Sequence, residues 1–285
     1  MTIGVIPNLD KRGSSDMVEK IGTLFLNEGI DAYLPDSLCC SVYKSAPEEE
    51  IFKNCDIIVT IGGDGTIIRY AKRAAAYGKP ILGINAGRMG YLANVEQNDY
   101  KLLSKLKTGD YSVEERMLLK VDLSDNEKTF GVYEALNDAV ITGGFISRII
   151  DVKAYIGREN IHYRADGLIV STPTGSTAYS MSAGGPIIDP VMDAICLTPI
   201  CSHTLTAKPM IISADKSLVL KAYSKKRVEI FLSIDGRKAA TLKPYNKITV
   251  TKSERTVKLI TLNDRSFFST LSAKFSDVRG VNNER

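Results

Sequence analysis

The 285-residue sequence predicts an α/β domain with a parallel sheet, followed by a mainly β domain. In the first hundred residues, short apolar runs alternate with segments of helical periodicity, which is typical of parallel strands connected by helices. Beyond that point, short alternating segments follow one another with turn signals between them. We therefore place one domain at residues 1–100 and the other at 101–266, with residues 267–285 expected to rejoin the first.

In the first domain, strands and helices alternate in order along the chain. Ser14 is a candidate cap for the first helix, and Gly29 stands just beyond its end. The predicted strands cover residues 3–7, 30–34, 56–61 and 80–84, and the further predicted helices cover 47–53, 66–77 and about 98–108. In such a sheet the ligand site is expected at the carboxyl ends of the strands.

The second domain consists of short strands separated by turns. Asp235-Gly236 is a strong hairpin signal between two of them. The predicted strands cover residues 112–123, 149–155, 218–221, 228–234, 238–242, 248–251 and 257–261. A helix is predicted over 267–275, and the polar tail from Ser276 is expected to be loose.

Composition excludes several classes of protein. Hydrophobic residues make up 44% and charged residues 25%, as in ordinary soluble globular proteins. The net charge of +4 is too small to indicate nucleic-acid binding, although it suits small anionic substrates. The sequence lacks both an apolar run of about 18 residues and a signal-peptide pattern, so no membrane contact is expected. Five cysteines without a C-x-x-C pair favour a cytoplasmic location without disulfides.

Histidine is scarce, which narrows the chemistry that the chain can perform. His162 and His203 are its only two histidines. Zinc sites need about four ligands, so we predict no resident metal site. Because the chain has so few histidines, Ser-His-Asp hydrolysis is also disfavoured. General-base chemistry therefore falls mainly to carboxylates.

The stretch Thr60–Thr66, which reads TIGGDGT, carries the strongest local signal. It joins an apolar strand to a helix, so its glycines lie where backbone N–H groups bind phosphate readily. Asp64 is the single carboxylate in this turn. The spacing of the glycines in this turn does not fit the P-loop. It does not fit the G-x-G-x-x-G fingerprint either, because Ile68 would have to be glycine. The alternatives are a phosphate site of another kind and an ordinary strand-to-helix turn.

Two further stretches carry polar groups in unusual places. Asn137-Asp138 lies inside an apolar run, where an amide and a carboxylate need partners. Those partners could belong to a ligand or to an internal turn contact. Residues 172–185 are rich in Ser, Thr and Gly. They could bind a polar ligand or form a solvated loop.

Together these stretches resemble the NAD kinase family over roughly residues 55–240. Gly62–Thr66 resembles the family's GGDGT motif, Asn137-Asp138 its Asn-Glu motif, and residues 166–182 its glycine- and threonine-rich signature. The GGDGT motif alone is also similar to turns in lipid kinases and phosphofructokinases. The departures are Asp138, one methylene shorter than glutamate, and Arg237, where many members carry a neutral polar residue.

The resemblance implies an active site between the two domains and transfer of the terminal phosphoryl group of ATP to the adenosine 2′-hydroxyl of NAD. In this reading Asp64 accepts the proton, and Gly65 lies against the phosphates. Asn137 and Asp138 contact the adenosine. The adenine and ribose pocket is implied to consist of Thr177, Ala178 and Tyr179, together with Ser180, Met181 and Ser182. Arg164 and Asp166 are implied to contact the dinucleotide. Arg69 and Arg148 are implied to contact phosphate.

The resemblance also implies partners. Magnesium is expected on the ATP phosphates rather than in a protein site. Self-association into a homodimer or homotetramer is expected, with the dinucleotide site completed by a neighbouring subunit. The alternatives are a lipid or sugar kinase that uses the same turn, and a nucleotide-binding regulator without turnover. A long apolar acceptor cleft would favour the lipid kinase.

Overall fold

The structure is a computed structural model that describes residues 1–11, 13–87, 90–125, 128–144, 149–204, 207–224, 228–263 and 265–280. The chain divides into two compact units. The first comprises Met1–Glu115 and Val257–Arg285, and the second comprises Arg116–Thr256. These limits differ from the sequence-based ones at residues 100 and 266. The segment after residue 100 stays in the first unit because Leu103 and Leu106 are buried in its core.

The first unit alternates strands with helices. Its elements are β1 (Thr2–Pro7), α1 (Ser14–Asn27), β2 (Asp31–Pro35), β3 (Lys44–Ala46), α2 (Glu48–Asn54), β4 (Ile57–Gly62), α3 (Asp64–Ala76), β5 (Ile81–Asn85), β6 (Val95–Glu96), a 3₁₀ helix (Gln97–Ser104), α4 (Lys105–Thr108) and, after the second unit, α6 (Phe267–Gly280). The predicted helix near 98–108 is thus a 3₁₀ helix followed by one α-helical turn.

The sheet of the first unit is parallel, as the alternation of elements predicts. The strand order is β5-β4-β1-β2-β3, with β6 beside β5. β4 is buried along its whole length, as expected for a strand covered on both faces. Its neighbours β1 and β5 end at the same edge, so the turn after β4 and the loop after β5 lie side by side. The amide of Ala86 donates to the carbonyl of Gly62 at 2.5 Å.

The second unit is mainly β, as predicted. Its elements are β7 (Ser112–Ser124), β8 (Thr129–Ala135), β9 (Asp138–Gly143), β10 (Ile150–Ile156), β11 (Glu159–Ala165), β12 (Gly167–Ser171), a 3₁₀ helix (Thr174–Thr177), α5 (Tyr179–Ser182), β13 (Ala194–Ile200), β14 (Met210–Ser213), β15 (Leu218–Tyr223), β16 (Ile230–Ile234), β17 (Arg237–Leu242) and β18 (Lys247–Thr261). β7 and β18 cross the limits between the units at their ends.

Antiparallel pairing organises the second unit. One set of strands has the order β11-β10-β15-β18, and β7 pairs with both β18 and β8. The other has the order β14-β13-β12-β9-β16-β17. The side chains of both sets share one core, which includes Leu119, Val152, Leu168, Leu197 and Leu232. The 3₁₀ helix and α5 follow β12, so the Ser/Thr/Gly-rich stretch is attached to a central strand of the second set.

The last strand differs from its prediction. Residues 248–251 and 257–261 were predicted as two strands, but they belong to the single strand β18. The polar residues between them continue the strand because Ser253 is buried and its hydroxyl donates to Glu134 at 2.6 Å. Towards its end, Leu259 pairs with Ile81 of β5 in the first unit. The helix α6 reaches Gly280, so the prediction of a loose tail from Ser276 was wrong for residues 276–280.

Candidate active-site elements

The turn between β4 and α3 is built for close packing. A Cβ on Gly62 would stand 2.2 Å from the Thr66 hydroxyl, so only glycine fits there. Gly63 is extended, and α3 begins directly after it at Asp64. Added Cβ atoms on Gly63 and Gly65 would meet nothing within 4 Å. No side chain of these two glycines therefore covers the amino end of α3, where the Thr66 amide donates to the Gly63 carbonyl at 2.8 Å. A helix amino end of this kind is a favourable place for a phosphate group.

The side-chain carboxylate of Asp64 accepts hydrogen bonds from three backbone amides. Its Oδ2 accepts a hydrogen bond from the Tyr91 amide at 2.6 Å, and its Oδ1 accepts from the Leu92 and Ala93 amides at 3.0 and 3.1 Å. These donors belong to the loop after β5, which lies beside the turn because parallel strands end at one edge. The carboxylate is half-buried and held in one orientation. Gly90 passes so close that a Cβ there would stand 1.9 Å from Oδ1.

The two predicted phosphate contacts are Arg69 and Arg148. Arg69 is exposed on α3, and its guanidinium lies 5.2 Å from the centroid of the Tyr70 ring. This places an exposed cation on the same helix as Asp64, about one and a half turns away. Arg148 lies outside the described residues.

In the second unit, Asn137 and Asp138 are held by Asp235. The carboxylate of Asp235 accepts hydrogen bonds from the amides of Leu136, Asn137 and Asp138 at 3.1, 2.8 and 3.2 Å. Asp235 itself adopts a left-handed conformation at φ 47° in the β16–β17 hairpin, and its amide donates to the Asp138 carbonyl. The internal turn contact is therefore real, and it fixes the backbone rather than the side chain of Asn137.

Asp138 is in an unusual electrostatic position. Its side chain is buried, and burial together with the nearby Asp235 charge raises the pKa of Asp138 to about 7. A carboxyl group with such a pKa is partly protonated at neutral pH. It can then donate a hydrogen bond as well as accept one.

Residues 172–185 do not form a solvated loop. Five of the hydroxyl side chains in this stretch are buried: those of Thr172, Thr174, Ser176, Thr177 and Ser180. The Thr172 hydroxyl donates to the Leu136 carbonyl at 2.6 Å and accepts from the Gly175 amide at 2.9 Å. This ties the stretch to the Asn137-Asp138 segment. A Cβ on Gly175 would stand 2.1 Å from the carbonyl oxygen of Asn137.

The other residues predicted in this stretch differ in exposure. The Thr177 hydroxyl donates back to the Thr174 carbonyl at 3.3 Å, and the Ser180 hydroxyl lies 2.8 Å from that of Thr198. Ala178 and Met181 are half-buried, whereas Ser182 is exposed. The Tyr179 side chain is 45% exposed, so its ring is available to a ligand.

A cavity of about 840 Å³ opens beside α5. Of the predicted site residues, Asp166, Tyr179 and Ser182 line it. Arg164 is exposed on β11, and its carbonyl accepts from the His203 amide at 2.9 Å. The sequence did not indicate another part of the cavity wall, which is formed by residues 199–202 and 207–209 with Phe231. Lys208 adds a cation to that wall, but a single lysine before a proline gives no recognisable pattern.

The predicted residues thus fall into two groups. Asp64, Gly65 and Arg69 belong to the first unit, and all the others that the structure describes belong to the second. Among the described residues, no group of three or more His, Cys, Asp or Glu side chains is arranged to hold a metal ion. In the same part of the chain, no helix is both long and apolar enough to cross a bilayer.

Comparison with known proteins assigns both parts of the chain. Residues 3–111 match the model of the ATP-NAD kinase N-terminal domain, and residues 136–262 match that of the C-terminal domain. An NAD kinase of Natranaerobius thermophilus is 37% identical over 280 residues, covering 96% of this chain and 98% of the relative. An NAD kinase of Caldanaerobacter subterraneus subsp. tengcongensis is 34% identical over 280 residues, covering 96% and 99%.

Solved structures share the fold. Yeast NADH kinase complexed with NADH aligns with a TM-score of 0.85 at 23% identity, covering 100% of this chain and 89% of that one. An NAD kinase from Archaeoglobus fulgidus in complex with ATP aligns with a TM-score of 0.74 at 26% identity, covering 96% and 98%. Because both domain models match and relatives above 30% identity span nearly the whole length, this chain belongs to the NAD kinase family.

Proposed function

We propose that this chain transfers the terminal phosphoryl group of ATP to the 2′-hydroxyl of the adenosine in NAD, giving NADP and ADP. Family membership makes it a kinase, and the NAD kinases similar to it are named for this substrate. The observation that carries the assignment of the site is the Asp64 carboxylate, held by three backbone amides beside an open helix amino end.

In this proposal Asp64 is the general base. The oxygen of the 2′-hydroxyl forms a bond to the γ-phosphorus, the bond from that phosphorus to the β–γ bridging oxygen breaks, and the hydroxyl proton passes to Asp64. Phosphoryl transfer depends mainly on positioning and on neutralising charge. A base that accepts the proton late in the step needs correct placement above all.

The phosphates are expected at the amino end of α3. Gly63 and Gly65 have open space where side chains would otherwise stand, so phosphate oxygens can reach the backbone N–H groups. Arg69 is an exposed cation on the same helix and can meet the tail of the triphosphate by changing rotamer. Arg148 keeps its predicted role as a second phosphate contact.

Magnesium enters as part of the nucleotide substrate. Phosphate and water oxygens are ligands that Mg²⁺ prefers, and the ion usually keeps several waters. Its chemical contribution is to neutralise charge on the phosphates.

The second unit is proposed to bind NAD. The adenosine of NAD would contact Asn137, Asp138 and residues 177–182. Hydrogen bonds to Asp235 and Thr172 hold the backbone of residues 136–138 in place. Arg164 and Asp166 would contact the dinucleotide. The cavity beside α5 has Asp166, Ser182, Ser202 and Lys208 among its lining residues, so it offers polar groups as well as apolar walls. A lipid acceptor would need a long apolar cleft, and this cavity does not favour one.

Self-association and location complete the proposal. We infer a homodimer or homotetramer in which a neighbouring subunit contributes to the dinucleotide site. We place the protein in the cytoplasm, where its five cysteines, all free thiols, would stay reduced.

The direct test is to incubate the purified chain with magnesium, ATP and NAD, and to measure NADP with a dehydrogenase specific for the 2′-phosphate. Parallel reactions replace NAD by NADH or by diacylglycerol, and ATP by polyphosphate. NADP that forms only when magnesium and a phosphoryl donor are present is the expected result. ATP consumption that depends on the lipid and not on NAD would instead assign the chain to the lipid kinases.

A further inference from the structure

The backbone N–H groups of Tyr91, Leu92 and Ala93, here called the amide cradle, occupy most of the acceptor capacity of Asp64. A carboxylate has about four positions at which it accepts hydrogen bonds. The cradle fills two on Oδ1 and one on Oδ2. Within the part of the chain that the structure describes, these three amides are the hydrogen-bond donors to Asp64, and the fourth position, on Oδ2, has no protein donor.

The cradle can close on Asp64 only because residue 90 has no side chain. A Cβ on Gly90 would stand 1.9 Å from Oδ1, 2.6 Å from Cγ and 2.9 Å from Oδ2. Real Cβ atoms essentially never approach other heavy atoms within 3.0 Å, so the carboxylate would have to move by about an ångström. Gly87, three residues earlier in the same loop, is different because a Cβ there would meet nothing within 4 Å.

We infer that Gly90 is a positioning residue for phosphoryl transfer. It allows the amide cradle to fix the rotation of the Asp64 carboxylate and thereby leaves Oδ2 directed at the acceptor hydroxyl. The inference rests on the proposed role of Asp64 as the base. It concerns this glycine rather than the glycines of the GGDGT motif.

The expected effect of Gly90→Ala follows from the displacement. A misplacement of about 1 Å at a reacting group can cost about 10²-fold in rate. We expect kcat to fall by about 10- to 100-fold. The KM for NAD should change little, because the site proposed for the dinucleotide lies in the second unit.

A thermodynamic cycle separates this role from a general loss of structure. Gly90→Ala is made in the wild-type chain and in Asp64→Ala, which removes the carboxylate that the methyl group would meet. In the wild-type background, we expect the melting temperature to fall by roughly 2–4 °C. In the Asp64→Ala background, the same substitution should cost little. Gly87→Ala serves as the matched control for backbone stiffening, with a small change in melting temperature in both backgrounds.

Each outcome decides the matter. Equal losses of melting temperature in the two backgrounds would overturn the inference, because Gly90 would then act through its backbone and not through Asp64. An unchanged kcat in Gly90→Ala would also overturn it. If Gly90→Ala alone fails to fold, recovery of folding in the double variant supports the inference and failure in both overturns it. The melting-temperature cycle needs no activity, so a wild-type chain that does not phosphorylate NAD would contradict the proposed function separately.

Discussion

At the scale of single residues, the chain uses one device twice. Asp64 in the first unit and Asp235 in the second each accept three hydrogen bonds from consecutive backbone amides. Hydrogen bonds from N–H groups to a carboxylate are stronger than those between neutral groups. Both carboxylates are therefore fixed relative to a loop far away in sequence, although we assign only Asp64 a role in the chemistry.

The first prediction concerns Asp64→Asn. The amide has the size of the acid, so the chain should fold and bind NAD, with a lower melting temperature because the side-chain N–H groups oppose one side of the amide cradle. It cannot take the hydroxyl proton, so kcat should fall by at least about 100-fold. Melting temperature, NAD affinity and kcat are measured on one preparation. A kcat within tenfold of the wild-type value would reject the catalytic role.

The second prediction concerns the pH dependence of stability. In the unfolded chain Asp138 ionises near its ordinary pKa of 3.8, whereas in the folded chain its pKa is about 7. Between these values the folded chain holds a proton that the unfolded chain has released, so the free energy of unfolding falls as the pH rises from about 4 to 7. Asp138→Asn should remove this contribution, which has an upper limit of about 4 kcal/mol.

The measurement is urea unfolding of the wild type and Asp138→Asn at pH 5 and pH 8. The other ionisable groups are common to both proteins, so the difference between their pH dependences isolates Asp138. Parallel curves for the two proteins would show that Asp138 titrates in its ordinary range.

The third prediction concerns binding of NAD. The described hydrogen bonds of Asn137 to Asp235 and Thr172 use its backbone, and Tyr179 is 45% exposed, so Asn137→Ala and Tyr179→Ala should fold normally. Each loses a contact that we assign equally to the ground and transition states. The KM for NAD should therefore rise roughly 2- to 10-fold with little change in kcat. Steady-state kinetics at saturating ATP provide the values, and a collapse of kcat at unchanged KM would contradict the assignment.

At the scale of elements, the sequence predicted the structures that depend on neighbouring residues and missed the contacts between distant ones. The β4-turn-α3 unit could be predicted because apolar runs, glycines and helical periodicity stand next to one another in the sequence. The donors to Asp64 could not, since they are backbone amides 27 to 29 residues away, and backbone amides have no sequence signature. Asp235 accepts hydrogen bonds from backbone amides that lie 97 to 99 residues away in sequence. The sequence analysis accounted for Asp235-Gly236 only as a hairpin turn, so these contacts were not predicted.

The continuity of β18 could not be predicted for a related reason. Lys252–Thr256 is polar, which normally indicates a turn. In the structure Glu134 of β8 accepts from the Ser253 hydroxyl and, at 3.1 and 2.8 Å, from the Arg255 guanidinium. The strand is stabilised by partners about 120 residues away, and periodicity cannot report such partners.

The fourth prediction concerns the Thr172 hydroxyl, whose hydrogen bonds link the Ser/Thr/Gly-rich stretch to the segment that contains Asn137. Thr172→Val keeps the shape of the side chain but leaves the Leu136 carbonyl and the Gly175 amide without their buried partner. The free energy of unfolding should fall by about 1–3 kcal/mol. Thr172→Ser keeps the hydroxyl and is the matched control. Equal losses in the two variants, measured by urea unfolding, would mean that the methyl group and not the hydroxyl stabilises this link.

At the scale of the whole molecule, the fifth prediction is self-association. β8 pairs with β7, and its side chains Phe130 and Val132 are 51% and 61% exposed. Exposed apolar strands of this kind are usually covered in native proteins. Sedimentation velocity at assay concentration should give the mass of two or four chains. A fully active single chain under the same conditions would refute both the oligomer and a dinucleotide site shared between subunits.

The two-part composition of the first unit has a consequence for the order in which the chain acquires structure during its synthesis. Ile260 and Leu262 are buried in the first core together with Ile3 and Val59. That core is therefore incomplete until residue 262 has left the ribosome, by which time every residue of the second unit has already emerged. Domains usually fold in the order of their synthesis, the N-terminal one first. Here the unit that starts second is complete first. A nascent chain of which residues 1–256 have left the ribosome would carry a complete second unit and an incomplete first one.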